Sequence, residues 1–305
     1  MKKLGNKGFA ISSVVYSILV LFVILVTAVL AMLSGRKVIL DKSKSGIMEK
    51  IDEMEEPDKY GTDDYTQNGL VLHYDGIQNT RSGPRNTSAT KWQNLASSTG
   101  QYDGTLTGFA SNAWADGKGL SFDGVNDFVN VGSFGVTESG VTIEIVVKYS
   151  DIARTSTLVG NLDGGGYALE HQFDPYLEWA YHANYANHTL SFYNTKVNAV
   201  QSLASSNETK SNHIYSITSI IDLSEKKIHL YENGEEFQAM STNLELKAPN
   251  NSTLLGIGAK MSGNSAVGQY LKGTVYSVRV YDRPLDTVEV LKNYSVDRKR
   301  FGVVE

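Results

Sequence analysis

An uncharged apolar run of 26 residues, Phe9 to Ser34, lies near the start of this chain. A helix of about 20 apolar residues is long enough to cross the hydrocarbon core of a bilayer. The apolar core of a cleavable secretory signal is shorter, at about 7 to 15 residues. The run therefore predicts a transmembrane helix over residues 9–34 that is not removed.

Lysine and arginine lie on both sides of this run, so positive charge alone does not orient the helix. The segment in front of it, Lys2-Lys3-Leu4-Gly5-Asn6-Lys7-Gly8-Phe9, resembles the leader of type IV pilin-like proteins. The resemblance covers about the first 40 residues. It implies a leader peptide over residues 1–8, which a peptidase cuts between Gly8 and Phe9 on the cytoplasmic side.

One position departs from the pilin pattern. Ser13, the fifth residue after the implied cut, stands where pilins carry a glutamate that meets the amine of a neighbouring subunit. Because an intramembrane charge is costly and normally functional, its absence argues against a main filament subunit. A plain uncleaved anchor is the alternative. Both interpretations predict a single-pass protein of the bacterial cell membrane whose C-terminal bulk lies outside the cell.

Beyond the apolar run, Ile47, Met48, Ile51 and Met54 recur at spacings of three and four. This spacing predicts an amphipathic helical stalk over residues 35–56. The stalk should end before Pro57, because the residue preceding a proline is pushed out of the helical conformation. Residues 57–68 are polar and contain glycine, which predicts a linker, so the outer domain is predicted over residues 69–305.

Short runs in which apolar and polar residues alternate recur through this outer domain. Alternation with β-branched and aromatic residues predicts half-buried strands. Clear examples are Leu70–Tyr74, Val141–Tyr149 and Gly273–Tyr281. One helix is predicted near the C-terminus, where Asp286 and Glu289 form a capping box. The pattern predicts an all-β fold, an antiparallel β-sandwich, behind the transmembrane helix and stalk.

Five segments of the outer domain resemble laminin-G-like, concanavalin A-like jelly-roll domains. They are Gly69–Thr80, Trp92–Leu95, Tyr102–Leu106, Gly119–Val131 and Gly273–Leu285. Together they bracket almost all of residues 69–295, and the last of them resembles the closing strand of that family. The resemblance implies a jelly roll that serves as a lectin, an adhesion module or a hydrolase.

Composition excludes several classes of site and partner. The chain has no cysteine, which excludes disulfides, thiolate metal sites and cysteine nucleophiles. Its 33 acidic and 28 basic residues give a formal net charge of -5. Because binding phosphates requires a basic surface, this charge argues against a nucleic-acid partner.

Catalysis by this domain is not expected. A glycoside hydrolase needs two carboxylates flanking its substrate. Concanavalin-type hydrolases carry a Glu-x-Asp-x-x-Glu cluster on one strand, whereas the strand Thr142–Lys148 has Glu144 as its single acid. We therefore predict that the protein is not an enzyme, and glycan hydrolysis is kept as the least favoured hypothesis.

Asp123, Asn126 and Asp127 supply hard oxygen donors of the type that calcium selects, within five residues. Related jelly rolls often bind calcium, so these residues are the candidate metal ligands and calcium the candidate cofactor. The same residues also suit a tight turn between two strands. The turn is the simpler interpretation, and the two are compatible.

Eight aromatic residues lie between Tyr167 and Tyr193, mixed with histidine and asparagine. Rigid aromatic rings beside polar groups suit a sugar or a protein partner, because they supply contact area at low entropy cost. Half of these rings are expected to fill the core and the other half to form a binding surface. The candidate ligand-binding residues are Tyr176, Trp179, Tyr181, His182 and Asn184.

These observations predict a membrane-tethered bacterial surface module that recognises a glycan or a surface protein, in the manner of an adhesin. It would act alone or as a minor component of a pilin-like assembly. The alternative is a structural pseudopilin-like subunit whose outer domain contacts other subunits instead of an external ligand.

Overall fold

The structure is a computed structural model. It describes residues 60–133, 139–161, 167–174, 185–194, 199–204, 208–241 and 254–304. The predicted leader, transmembrane helix and stalk, including Gly8 and Phe9, lie outside these residues and stay predictions. Within the described ranges, no helix is long and apolar enough to cross a bilayer.

The described residues form a β-rich domain with one C-terminal α-helix. Its strands are β1 Leu70–Asp75, β2 Lys91–Trp92, β3 Gly104–Thr107, β4 Leu120–Asp123, β5 Phe128–Gly132, β6 Gly140–Tyr149, β7 Ser156–Gly160, β8 Tyr167–Asp174, β9 Tyr185–Asn194, β10 Ala199–Ala204, β11 Ile214–Asp222, β12 Lys227–Glu232, β13 Glu235–Ser241, β14 Leu255–Ile257, β15 Lys260–Ser262, β16 Ser265–Gly268 and β17 Lys272–Tyr281. The helix, α1, spans Thr287–Phe301, and a short 3-10 helix spans Thr62–Asp64.

Two antiparallel sheets make up the sandwich. One has seven strands in the order β1-β17-β6-β11-β12-β13, with β4 also paired to β17, and the other has eight in the order β10-β9-β8-β7-β14-β5-β3-β2. A ribbon of β15 and β16 completes the described strands. The predicted all-β antiparallel sandwich is confirmed, and its arrangement is consistent with a jelly roll.

The core lies between the two sheets and follows the alternation of the sequence. Ile143 and Ile145 of the seven-stranded sheet are buried there with Val129, Leu190 and Ile257 of the eight-stranded sheet. Side chains two apart on a strand share a face, which is why the period-two runs fill one continuous core. The predicted strands at the start, centre and end of the domain are all present as β1, β6 and β17.

Helix α1 covers the outer face of the seven-stranded sheet. Its predicted capping box is confirmed: the Asp286 carboxylate accepts from the Glu289 amide, and the Glu289 carboxylate accepts from the Asp286 amide. Gly302 ends the helix in the left-handed conformation, at φ 77°. Because the helix shields this face, Thr142 and Glu144 of β6 are as buried as the apolar residues beside them.

Candidate functional site

The ligand-binding residues predicted from sequence fall where the structure gives no description. Tyr176, Trp179, Tyr181, His182 and Asn184 belong to the stretch of chain between β8 and β9, outside the described residues. They therefore stay predictions. The strands that flank this stretch are paired from Asp174 with Tyr185 onward.

A buried histidine–glutamate pair lies inside the sandwich. His188 of β9 is fully buried, and its Nδ1 lies 2.7 Å from Oε2 of Glu232 in β12. The His188 ring stacks on Tyr149 and meets Tyr215 edge-on, with centroids 5.7 Å and 5.0 Å away. The pair joins the two sheets across the core. The sequence pattern did not predict this pair, because His188 and Glu232 are 44 positions apart in the chain and lie in different sheets.

Asp123 and Asp127 form the turn between β4 and β5. Oδ1 of Asp123 accepts from the amides of Val125 at 2.7 Å and Asn126 at 3.3 Å. Oδ2 of Asp127 accepts from the amide of Asp123 at 2.8 Å. Aspartate commonly bonds to backbone amides two or three residues on in this way, so the structure shows the predicted turn.

Asp127 also has properties that the turn does not require. The residue is 3% exposed, and its Oδ1 is buried without a hydrogen-bond partner in the described part of the chain. Burial raises the pKa of Asp127 to about 6, and the nearby Asp123 adds to this rise. A buried carboxylate oxygen without a partner is a position at which a cation could bind.

The wider donor set for calcium is small. No group of three or more histidine, aspartate or glutamate side chains within the described residues is placed to hold a metal. Calcium at this turn would therefore depend on Asp123 and Asp127 together with Asn126, backbone carbonyls and water. The calcium site stays a prediction.

The described surface carries a cleft of about 290 Å³ beside the edge of the eight-stranded sheet. It lies between the loop before β2 and the loop after β3. Its lining includes two aromatic residues and four residues with hydroxyl groups: Phe109, Trp114, Thr87, Ser88, Thr90 and Ser111. Pairing of β2 with β3 brings the two loops together.

The floor of the cleft is rigid. The Trp114 indole N–H donates to the Ala89 carbonyl at 2.9 Å, and the Arg85 guanidinium lies 5.6 Å from the centroid of its ring. Trp92 packs edge-on against Trp114, at 5.3 Å between centroids. Trp114 is thus held from several sides, and at 2% exposure it forms the floor of the cleft and offers almost no ring surface.

The rim of the cleft is polar but uncharged. All four hydroxyl residues are exposed, and none of their hydroxyls bonds to another side chain or to the backbone within the described residues. Phe109 is half-buried and meets Phe122 edge-on at 4.9 Å. No lysine, arginine, histidine, aspartate or glutamate lines the cleft. The arrangement suits a neutral ligand that presents both an apolar face and hydroxyl groups.

Sequence reasoning missed this cleft. The stretch Asn86–Thr90 is made of small polar residues and one alanine, and the stretch Phe109–Trp114 has an aromatic residue at each end with small residues between them. Neither stretch has a strand period, so the sequence analysis predicts no strand and no site there. Their approach depends on the pairing of two short strands, which sequence alone did not predict.

Glu144, the single acid of the central strand, does not reach the surface. It is 1% exposed and pairs with Arg279 at 2.7 Å. Arg279 in turn pairs with Asp297 of α1 at 2.8 Å. A carboxylate enclosed in this way has no access to a glycan, so it cannot act as acid, base or nucleophile there.

Several solved structures resemble this domain. The binding domain of Paraclostridial mosquitocidal protein 1 superposes with a TM-score of 0.52 at 16% identity, covering 75% of this chain and 52% of that one. The CBM40 domain of the Ruminococcus gnavus IT-sialidase, bound to α2,3-sialyllactose, superposes with a TM-score of 0.42 at 14% identity, covering 57% of this chain and 95% of that one. The ligand-binding domain of botulinum neurotoxin serotype D, in complex with N-acetylneuraminic acid, superposes with a TM-score of 0.48 at 11% identity, covering 75% of this chain and 51% of that one.

The chain spans about half the length of the two toxin structures. At these identities the likeness shows the fold alone. No curated protein matches the sequence. A family model, that of the concanavalin A-like lectin/glucanases superfamily, matches residues 123–291, which is 169 of the 305 residues. The resemblance seen in the sequence is confirmed for the jelly-roll domain: the chain belongs to the concanavalin A-like lectin/glucanases superfamily.

Proposed function

We propose that this protein is a non-catalytic carbohydrate-binding module, held at the outer surface of a bacterial cell by its N-terminal helix. The observation that carries the proposal is the uncharged cleft of Phe109 and Trp114 on a lectin-type sandwich. The N-terminal helix, the leader cut at Gly8 and the adhesion role rest on the sequence alone.

The cleft supports a neutral sugar as the ligand. A sugar ring offers an apolar face of C–H groups, which suits an aromatic surface such as Phe109, and hydroxyls that both donate and accept hydrogen bonds. Thr87, Ser88, Thr90 and Ser111 have hydroxyls to match. Sialylated or phosphorylated glycans call for a cationic partner, which the lining of the cleft does not supply.

The predicted segment between β8 and β9 is the second candidate surface for the same function. Tyr176 and Trp179 are proposed to contact the ligand there, together with Tyr181, His182 and Asn184. The two surfaces make different predictions for single substitutions, so they are separable by experiment.

A structural role as a minor pilin-like subunit is the alternative function. The segment that ends at Gly8 favours it, because this segment resembles the leader of type IV pilin-like proteins. If the protein co-fractionates with sheared filaments and binds no glycan, this alternative replaces the first proposal.

The test uses the full chain in detergent micelles, probed against neutral oligosaccharides and their sialylated counterparts. We expect binding to neutral members, and an affinity loss of about 30-fold in Phe109→Ala, because a buried aromatic anchor typically contributes about 2 kcal/mol. Tyr270→Ala is the matched control, since Tyr270 is also half-buried but lies outside the cleft. Unchanged affinity in Phe109→Ala with a loss in Tyr176→Ala would move the site to the predicted segment.

A further inference from the structure

A buried tyrosine precedes the first strand. Tyr65 lies between the short 3-10 helix and β1, in the segment that sequence predicted as a linker, yet it is 0% exposed. A linker tyrosine would ordinarily be solvated. Its complete burial shows that this part of the segment is packed on the domain.

The partners of Tyr65 are charged groups of α1 and β17. Its hydroxyl donates to Oδ1 of Asp297 at 2.9 Å, and the Arg279 guanidinium lies 3.9 Å from its ring centroid. His73 meets the ring edge-on at 5.2 Å, and Arg300 lies 5.7 Å from its centroid. Burial, reinforced by Asp297, holds the pKa of Tyr65 well above its usual value, so the hydroxyl keeps the proton that it donates.

The residues that follow are tied to the same end of the domain. The Thr66 amide donates to Oδ1 of Asn293 at 2.9 Å. The Arg283 guanidinium donates to the Asn68 carbonyl at 3.0 Å, and the Asp282 amide donates to the Gly69 carbonyl at 2.9 Å. Gly69 has a φ of 77°, and a Cβ there would lie 2.9 Å from atoms of both Asp282 and Arg283. The chain at Gly69 therefore packs closely against the residues that follow the C-terminal end of β17.

The surface that receives Tyr65 is built independently of it. Arg279 donates two hydrogen bonds to Asp297, at 2.9 and 2.8 Å, and one to Glu144 at 2.7 Å. Ser216 donates to the second oxygen of Asp297 at 2.8 Å. These interactions fix the acceptor and the cation before the tyrosine adds its own contacts. Such a surface is preorganised for a ring that carries a hydroxyl donor.

We infer that residues 65–69 form a clasp that holds the N-terminal side of the chain on α1 and the end of β17. A force applied to that side must release the clasp before it acts on β1. The position of β1 explains why this matters. It lies at the end of its sheet order and is paired with β17. A strand at a sheet edge can be peeled away one residue pair at a time, whereas the clasp must release its contacts with two elements together. The inference does not depend on the proposed glycan binding.

Hydrogen exchange in the full chain tests the clasp locally. Tyr65→Phe keeps the ring over Arg279 and loses the bond to Asp297. We expect exchange at the Thr66 amide to accelerate about 10- to 100-fold, as for the loss of a hydrogen bond to a charged group. Amides of β6 should exchange as before. Tyr74→Phe is the control, because it removes a buried hydroxyl that donates to the Tyr102 carbonyl instead.

Pulling the full chain by handles at its two ends tests the mechanical part. Tyr65→Phe should lower the force of the release that frees residues 60–69, a length of about 35 Å for ten extended residues. Tyr74→Phe should leave that force unchanged. The inference is overturned if Thr66 exchanges at the same rate in the wild type and Tyr65→Phe, if exchange rises equally at Thr66 and Ile145, or if the two variants release at equal force.

Discussion

Replacing Asp127 by asparagine should make the domain more stable at neutral pH. Asp127 is buried in the turn between β4 and β5, and its Oδ1 has no partner in the described part of the chain. Asparagine keeps an oxygen that can accept from the Asp123 amide but carries no charge. The substitution therefore removes the cost of burying a carboxylate while it keeps the turn.

The magnitude follows from the shift in the pKa of Asp127. Burial raises this pKa from 3.8 to about 6 in the folded state. Between these two values the folded protein binds more protons than the unfolded chain, so the free energy of unfolding decreases as the pH rises. The stabilisation is complete below pH 3.8 and is lost above about pH 6. At about 1.4 kcal/mol for each pKa unit, the difference is about 3 kcal/mol.

Urea unfolding of the full chain in detergent micelles, at pH 4 and pH 8 with a chelator present, measures this difference. Because pH 4 lies just above 3.8, about 2.4 kcal/mol of this contribution is present there. It should be missing from the pH dependence of Asp127→Asn, and the free energy of unfolding of the variant should exceed that of the wild type at pH 8. Asp63→Asn, at an exposed aspartate, is the control and should leave the wild-type profile unchanged. If Asp127→Asn retains the wild-type pH dependence, the reasoning about its carboxylate is wrong.

Three further predictions concern the buried ion pairs, the metal and the leader. Arg279→Met should lower the free energy of unfolding by about 3 to 5 kcal/mol, because it leaves Glu144 and Asp297 buried without their cation, whereas Lys227→Met at an exposed pair should leave the melting temperature unchanged. Calcium at about 100 times its dissociation constant should stabilise the protein by about 2.7 kcal/mol if it binds at Asp127, and equal melting in millimolar calcium and in chelator would leave only the turn. Mass spectrometry of protein from its own host should find Phe9 at the N-terminus, and a Met1 or Lys2 terminus would leave the plain anchor.

The sandwich could be predicted from sequence because strand periodicity is a local property. The alternation of Val141–Tyr149 places every second residue in the core whatever the strand pairs with. The capping box of Asp286 and Glu289 is local in the same sense, since both partners lie within one helical turn. Such features need no knowledge of distant residues.

The packing of Tyr65 could not be predicted in that way. Its partners Arg279 and Asp297 are more than 200 residues away, and its neighbours in sequence are polar and typical of a linker. The burial of Glu144 has the same origin, because helix α1 covers a sheet face that the alternation assigned to solvent. Both depend on which surface the last helix covers.

The candidate site was the least predictable part. The cleft of Phe109 and Trp114 arises where two loops meet, and loops have no period that reports which way a side chain points. The cluster of aromatic residues predicted a binding site in the segment between β8 and β9 instead. The residue types indicate which class of ligand could bind, whereas the fold determines which of those residues come together to form a site.

The measurement that tests the central proposal most directly is a hydrogen-exchange footprint of the full chain with and without the neutral oligosaccharide that it binds best. If the cleft binds the sugar, exchange slows at backbone amides in residues 86–90 and 108–114, the two loops of the cleft, and no such protection occurs in Phe109→Ala. Protection confined to other parts of the chain, or binding only of sialylated glycans, would contradict the proposal.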